Sequence, residues 1–356
     1  MDANGLRHSD YCYNLPDCIQ LSFQMSADKA TSQSSNGVLS GSIHRQAVEE
    51  VSAPLKRYYS LDIHQLRPGS YPSRLDFVAS SGAIIYRENY PRATRIVGEL
   101  LGGRFGLGIR LGETEGTFAG EKVLGPNTPS AMSGEQIDFT GENGYRQMIM
   151  AVDHARLLQM AEAARVAPRI LQGLRPGRQG MNLSAKPHAA ACVAKTFGKM
   201  LDHAVAGEIE ARQENFEDLI YEAILSLVEH SDLSYGRPPA AAIVRRATEL
   251  VESSPGMVPR IHVLAARLHM SPRTLQKAFI SVTGLGPNAY FRHCALNRAR
   301  HVLLQAHPAE DKVTAIAAAL GFTEIGRFSV RYRELFGESP SQTLQRRPRG
   351  IVAIPG

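Results

Sequence analysis

Residues 313–340, VTAIAAALGFTEIGRFSVRYRELFGESP, limit what this chain can fold into more than any other stretch. The first half predicts a short helix of small and apolar residues that ends at Gly321, because glycine adopts a positive φ without steric cost. The second half predicts another helix, whose apolar side chains recur every three or four residues at Ile325, Phe328, Tyr332, Leu335 and Phe336. The other face of that helix carries Arg327, Arg331 and Arg333. This pattern is typical of a helix-turn-helix whose second helix enters a DNA major groove.

A related pattern lies earlier in the chain, in residues 261–279, IHVLAARLHMSPRTLQKAF. Ser271 is expected to cap a helix there, and Pro272 to occupy its first turn, where a proline is tolerated. The buried stripe of that helix is predicted to be Leu275, Ala278 and Phe279. The chain is therefore predicted to contain two helix-turn-helix units.

One helix is predicted to connect the two units. Residues 288–306 carry inward-facing apolar side chains at Ala295, Ala299, Val302, Leu303 and Ala306. At ~1.5 Å per residue this helix spans about 28 Å, and successive major-groove faces of DNA recur every ~34 Å. A rigid helix of this length can hold two recognition helices roughly one turn of DNA apart.

Two helix-turn-helix units in one chain, the second with the pattern LGF…F…R…FG.SP, resemble the DNA-binding domain of the AraC/XylS family of transcription regulators. The run GRF…YRELFGESPSQTL is especially similar to the XylS branch, and the resemblance covers residues 240–347. It implies a cupin-like effector-binding domain in the N-terminal part, and activation more often than repression. The expected partners are promoter DNA, a small-molecule effector, RNA polymerase and a second copy of the chain.

The charges of the chain are unevenly distributed. The whole sequence carries 40 basic and 34 acidic residues, a formal charge of +6. Residues 239–350 hold 16 basic and 7 acidic side chains, a formal +9, so the remainder is −3. Because phosphates attract basic surfaces, only the C-terminal part is expected to meet nucleic acid.

The expected fold class is α+β, with a cupin-like β-sandwich or barrel, a helical connector and an all-α double helix-turn-helix domain. The expected segments are a poorly ordered tail at 1–45, a β-rich effector domain at 46–170, a loop or linker at 171–187, a connector at 188–232 and a DNA-binding domain at 239–348 with its two units at about 258–282 and 313–337. The connector has one apolar face, at Phe216, Leu219, Ile220, Ala223, Ile224 and Leu227. That face is expected either to pack on the β-domain or to form a dimer seam.

The candidate DNA contacts are exposed polar side chains of the two second helices. Arg273, Gln276, Lys277 and Arg327 are predicted to read base edges, since arginine and lysine reach guanine and glutamine pairs with adenine. Thr274, Ser329 and Arg331 are predicted to contact phosphates or flanking positions. Further candidate phosphate contacts are Arg298, Arg300, Arg346 and Arg347. The alternative for each residue is a solvated helix face.

The candidate effector pocket is placed among inward side chains of the β-domain. Its predicted lining is Phe77, Ile84, Tyr86, Arg95, Phe105 and Arg110, in which an arginine could pair with a carboxylate ligand. His64 stands alone in this region, so no metal, cofactor or catalytic residues are predicted.

Scattered cysteines and the lack of a long apolar run predict a cytoplasmic protein without a membrane partner. Two alternatives stay open. One is a DNA-binding regulator that needs no ligand and whose β-domain only dimerises. The other is a cupin-type enzyme fused to a DNA-binding domain, which bound metal would reveal.

Overall fold

The structure is a computed structural model, and it describes residues 37–45, 55–56, 58–118, 121–123, 125–133, 137–174, 181–185, 187–206, 213–229, 231–235, 239–253 and 259–346. The predicted tail as far as residue 36, and Arg347, lie outside the described residues.

Two antiparallel β-sheets face each other in the N-terminal part. In chain order, the strands of the described residues are β1 Leu39–Arg45, β2 Tyr59–Gln65, β3 Ser73–Ala79, β4 Ala83–Tyr90, β5 Thr94–Leu100, β6 Arg104–Arg110, β7 Gly116–Phe118, β8 Glu121–Lys122, β9 Pro129–Ser133, β10 Ile137–Gly141, β11 Tyr145–Asp153, β12 Met181–Ala185 and β13 Ser231–Tyr235. The larger sheet has the order β1-β3-β4-β11-β6-β9-β12-β13, and the smaller β2-β5-β10-β7-β8. This sandwich is the N-terminal architecture that the sequence predicts.

Strand β11 shows why the sequences of the central strands are apolar along their whole length. Its alternate side chains Met148 and Met150 belong to an apolar core shared with helices. Ile149 and Ala151 point the other way, into the core between the two sheets. Because successive side chains of a strand point to opposite faces, a strand buried on both faces must be apolar throughout.

Helices cover the larger sheet and form the C-terminal part. The helices of the described residues are α1 His154–Ala163, α2 Pro168–Leu174, α3 Pro187–Val205, α4 Gln213–Glu229, α5 Pro239–Glu252, α6 Ile261–Arg267, α7 Pro272–Thr283, α8 Pro287–Gln305, α9 Val313–Ala319, α10 Ile325–Phe336 and α11 Pro340–Gln345. The apolar face of α4, including Phe216, Ile220 and Ile224, is buried in the same core as strands β6 and β11. In this structure the face packs within the chain, and the role of the connector in a dimer stays a prediction.

Two segments that the sequence predicts as irregular contain strands, and a third strand lies at the end of the predicted helical connector. The tail of residues 1–45 includes β1, which pairs with β3 along its whole length. The loop or linker of residues 171–187 includes the end of α2 and all of β12. Strand β13 begins in the last two residues of the predicted connector, and β12 pairs with both β9 and β13. These short sequences are poor in β-branched and aromatic residues, so the tertiary pairing and not the local propensity decides their structure.

Candidate nucleic-acid interface

The first recognition helix is α7, and its start is capped as predicted. The hydroxyl oxygen of Ser271 accepts a hydrogen bond from the Thr274 amide at 3.1 Å, and Pro272 occupies the first turn. The stripe that includes Leu275 and Phe279 is buried. The four polar residues predicted to face outward are exposed: Arg273, Thr274, Gln276 and Lys277. They are sterically available to a DNA groove, and their individual roles stay predictions.

The second recognition helix is α10, which follows α9 through a glycine turn. Gly321 has a φ of 85°, as the turn requires. Beyond the turn, the Phe322 ring packs on Phe328, with ring centroids 4.6 Å apart. Phe328 and Tyr332 of α10 are buried, and their packing fixes the angle between α10 and the rest of its unit.

The predicted contacts of α10 differ in how far they reach into solvent. Arg327 and Arg331 are exposed, whereas Ser329 is half-buried. Arg327 makes an ion pair with Glu324 at 3.0 Å, and both side chains are mostly exposed. Because exposed pairs of this kind contribute little free energy, the pair is a weak competitor for DNA.

Two large apolar side chains are exposed on the recognition helices. Val330, next to Arg331 and one turn after Arg327, is 58% exposed, and Ile280 of α7 is 50% exposed. Neither residue is among the contacts predicted from the sequence. The sequence does distinguish them, because each is an aliphatic residue on the largely polar face of its helix, outside the buried stripe. Apolar side chains at such positions suit contact with the methyl group of thymine.

Helix α8 joins the two units by packing into both of their cores. Tyr290 and Phe291, near its start, lie in the core of the first unit. Leu296, Ala299 and Leu303, farther along, lie in the core of the second. The helix of 19 residues is therefore the rigid spacer that the sequence predicts.

Arg300 of α8 was predicted to contact phosphate, and this prediction is wrong. Its side chain is 2% exposed, forms an ion pair with Glu338 at 2.9 Å and stacks over the Phe336 ring at 4.4 Å. Arg346 also pairs with Glu338, at 2.5 Å. Glu338 thus ties the end of α10 to α8 and to α11, so both arginines act within the protein.

Arg298 is exposed on α8. The residue before it, Asn297, is bonded to Gln65 of β2, so this part of α8 lies beside the β-domain. The role of Arg298 as a phosphate contact stays a prediction.

One loop of the β-domain, residues 66–72, contacts the ends of both recognition helices; we call it the bridging loop. Its Arg67 donates a hydrogen bond to the Gly284 carbonyl at 3.2 Å, where α7 ends. Its Gly69 amide donates to the Leu335 carbonyl at 3.0 Å, in the last turn of α10. Both helices end in a glycine with positive φ, Gly284 and Gly337, which leaves room for the loop.

The bridging loop is anchored by a buried pair of polar residues. The Gln65 amide donates to Asn297 Oδ1 at 2.9 Å, and Asn297 Nδ2 donates back to the Gln65 carbonyl at 3.1 Å. The Gln65 side chain donates to the Leu335 carbonyl at 2.8 Å. Gln65 and Asn297 are 2% and 3% exposed. These bonds join the end of β2 to α8 and α10.

Arg95 lies at this same contact and not in an effector pocket. It is 1% exposed, pairs with Asp138 at 3.0 Å and faces the Tyr290 ring of α8 at 5.4 Å. His64, near it, is half-buried, and loss of solvation lowers the pKa of this histidine to about 4, so the side chain is uncharged at neutral pH.

A cavity lies between the two sheets, with an empty space of about 790 Å³ that includes the part open to solvent. Its walls are mainly apolar and aromatic, and include Tyr59, Ile63, Tyr71, Ile96, Phe139 and Ile149. Apolar and aromatic walls with a few polar groups are typical of a small-molecule site.

The predicted pocket residues divide according to the face of their strand. Tyr86 and Arg110 line the cavity. Phe77 and Ile84 belong to the core around it but do not line it. Phe105 points to the opposite face of β6, into the core beneath the helices. The facing of these strands could not be read from the sequence.

The described residues contain no group of three or more histidine, cysteine, aspartate and glutamate side chains placed to hold a metal ion. In the part of the chain that the structure describes, no helix is both long and apolar enough to cross a membrane.

Comparison with known proteins supports the C-terminal assignment. The helix-turn-helix domain family matches residues 264–346. The XylDLEGF operon transcriptional activator 2 of Pseudomonas putida is 33% identical over 125 residues, which are 35% of this chain and 77% of that protein. The probable thc operon regulatory protein of Rhodococcus erythropolis is 34% identical over 112 residues, 32% of this chain. The match spans about a third, 34%, of the Rhodococcus protein's own length.

Among solved structures, the AraC-like transcriptional activator CuxR is 14% identical, with a TM-score of 0.39. The match covers 73% of this chain and 94% of that one.

Proposed function

The chain belongs to the AraC/XylS family of transcription regulators, and we propose that it activates transcription in response to a small molecule bound between its two β-sheets. One observation supports the proposed DNA binding: α7 and α10 expose their polar faces, while α8 packs into the cores of both units. Each recognition helix enters one major-groove segment, and the two segments are successive.

The proposed base contacts are Arg273, Gln276 and Lys277 from the first unit and Arg327 from the second. Arg331 and Thr274 position the protein on the phosphates. Val330 contacts a thymine methyl group beside the base that Arg327 reads. This assignment follows from exposed side chains of suitable chemistry on each helix.

Footprinting on selected promoter DNA tests the assignment. Arg327→Ala is expected to weaken protection of one segment while the other persists. Lys199→Ala, which removes an exposed charge from α3 of the β-domain, is the control for a general loss of positive charge. Equal footprints for Arg327→Ala and Lys199→Ala would contradict the proposed role of α10.

The response to a ligand is supported by the bridging loop. Tyr71 of this loop lines the cavity, and Ile63, two residues before Gln65, lines it as well. The same loop contacts the ends of α7 and α10 through Arg67 and Gly69. A ligand that moves Tyr71 therefore acts on a segment that contacts both recognition helices, and this contact would couple ligand binding to DNA binding.

A thermal-shift screen followed by footprinting tests this response. A ligand of the folded state raises the midpoint temperature according to RT ln(1 + [L]/Kd). A compound that does so is expected to change the DNA affinity of the full-length chain. An unchanged footprint at saturating ligand would favour the alternative of a regulator that needs no ligand.

A further inference from the structure

The cavity carries two formal charges on its described walls, and they are not equivalent. Glu88 of β4 and Arg110 of β6 both line it. What each of them already binds decides which ligand the cavity accepts. The inference rests on the proposed response to a small molecule and names the chemistry of that molecule.

Three of the five N–H groups of the Arg110 guanidinium donate to backbone carbonyls. Its Nε donates to the Gly112 carbonyl at 2.7 Å and Nη1 to the Val123 carbonyl at 3.0 Å. Its Nη2 donates to the Glu113 carbonyl. Arg110 is 5% exposed. These bonds close the side of the guanidinium that includes Nε, and they leave a ligand carboxylate one N–H on Nη1 and one on Nη2.

Hydrogen bonds from the described part of the chain reach only one of the two oxygens of the Glu88 carboxyl group. Its Oε1 accepts hydrogen bonds from Tyr90 and, at 2.9 Å, from Gln147. Among the described residues, no hydrogen bond reaches Oε2 and no cation pairs with this group. Glu88 is 7% exposed, and burial raises its pKa, while the two hydrogen bonds oppose that shift. Burying a carboxylate without a nearby cation costs free energy. A ligand that supplies a cation would therefore gain binding free energy here.

Aromatic rings surround this carboxyl group. Tyr59, Tyr86 and Tyr90 line the cavity together with Glu88, and the Tyr90 hydroxyl donates a hydrogen bond to its carboxyl group. Burial raises the pKa of the three tyrosines, and the charge of Glu88 adds to this shift. The Tyr59 and Tyr86 rings meet edge to face, with centroids 6.1 Å apart. Ring faces attract cations. The remaining walls are apolar and suit a hydrocarbon or aromatic body.

The other polar residues of the cavity walls carry no formal charge; they are Ser73, Asn89, Thr128, Ser130, Gln147 and five tyrosines. The buried Ser73 hydroxyl has no hydrogen-bond partner among the described residues. Burial raises the pKa of the Tyr145 phenol far above neutral pH. Glu88 is thus the anionic group on the described walls, and the one that can form a charge-assisted bond with a ligand ammonium.

We propose that the cavity binds a small arylalkyl amine. Its ammonium group donates to Glu88 Oε2 and lies against the tyrosine rings, and its aromatic body fills the apolar space between the sheets. Charge-assisted hydrogen bonds and cation–π contacts act together at such a site. An aromatic acid of the same size meets like charge at the ionised Glu88, and at Arg110 it meets a guanidinium that already donates three hydrogen bonds to the backbone.

Titration calorimetry on the full-length chain tests the ligand class with phenethylamine, benzyl alcohol and benzoate. Phenethylamine is expected to bind at least tenfold more tightly than either of the others. Glu88→Gln keeps the size of the side chain and is expected to weaken the amine at least tenfold. Glu99→Gln, which removes an exposed carboxylate of β5, is the matched control and is expected to leave the affinity unchanged.

Three results would overturn the amine assignment: benzoate binding as tightly as phenethylamine, equal binding of benzyl alcohol, or no measurable binding of phenethylamine. The comparison among probes uses the unchanged chain, so it holds even if Glu88→Gln does not fold. Footprinting of the same sample separates the two proposals. DNA protection with no amine binding rejects only the ligand class, whereas lost DNA protection rejects the regulator itself.

Discussion

Replacement of Asn297 by alanine is expected to loosen the contact between the β-domain and the recognition helices. Asn297 makes two hydrogen bonds to the backbone of Gln65, at 2.9 and 3.1 Å, and both residues are almost fully buried. Each bond contributes about 0.5–1.5 kcal/mol net. The free energy that holds the bridging loop in place should therefore fall by about 1–3 kcal/mol. This is roughly a 5- to 150-fold change in the equilibrium between the loop bound to the helices and the loop detached from them.

Hydrogen exchange of residues 65–70, followed by mass spectrometry, measures this effect. The Gly69 amide is bonded to the Leu335 carbonyl across the contact, so it exchanges when the loop leaves the helices. Exchange in this segment is expected to accelerate by the factor given above. Asn288→Ala, an exposed asparagine on the same helix, serves as the control. Equal exchange in the two variants would refute the idea that Asn297 holds the loop.

Four further outcomes are expected. Arg327→Ala should weaken specific DNA binding by ~1–3 kcal/mol and relax one base position, and an equal loss on all sequences would instead assign Arg327 to phosphate. Ala317→Leu, at a fully buried position between α9 and its neighbours, should lower the free energy of unfolding by ~1–3 kcal/mol in urea titrations, through overpacking. Gly321→Ala should lower the free energy of unfolding by roughly 1–2 kcal/mol in the same titrations, because a φ of 85° is strained for a residue with a Cβ atom. No neighbour lies close to the added methyl group, so no clash adds to this cost. Phenethylamine affinity should rise with pH as the raised pKa of Glu88 is passed and then level off, since the ammonium needs the ionised carboxylate, whereas Glu88→Gln should show no such rise.

The helix-turn-helix units could be predicted because their signals are local. The cap at Ser271, the turn glycine Gly321 and the buried stripe that includes Leu275 and Phe328 all lie within short windows of sequence. The period of 3.6 residues then fixes which side chains point outward. The spacer helix follows for the same reason.

The cavity and the domain contact could not be predicted, since they depend on residues far apart in the chain. Phe105 and Arg110 lie on one strand, and only the pairing of β6 in its sheet decides which of them faces the cavity. Arg300 looks like a surface cation in sequence, but Glu338 and Phe336, more than thirty residues later, bury it. Asn297 and Gln65 meet across 232 positions of sequence.

The most direct test of the account is hydroxyl-radical footprinting of the full-length chain on its promoter. A rigid α8 that carries two recognition helices predicts two protected stretches on the same face of the duplex, with centres about 10 base pairs apart. Protection of one stretch alone, or of two stretches on opposite faces, would contradict it.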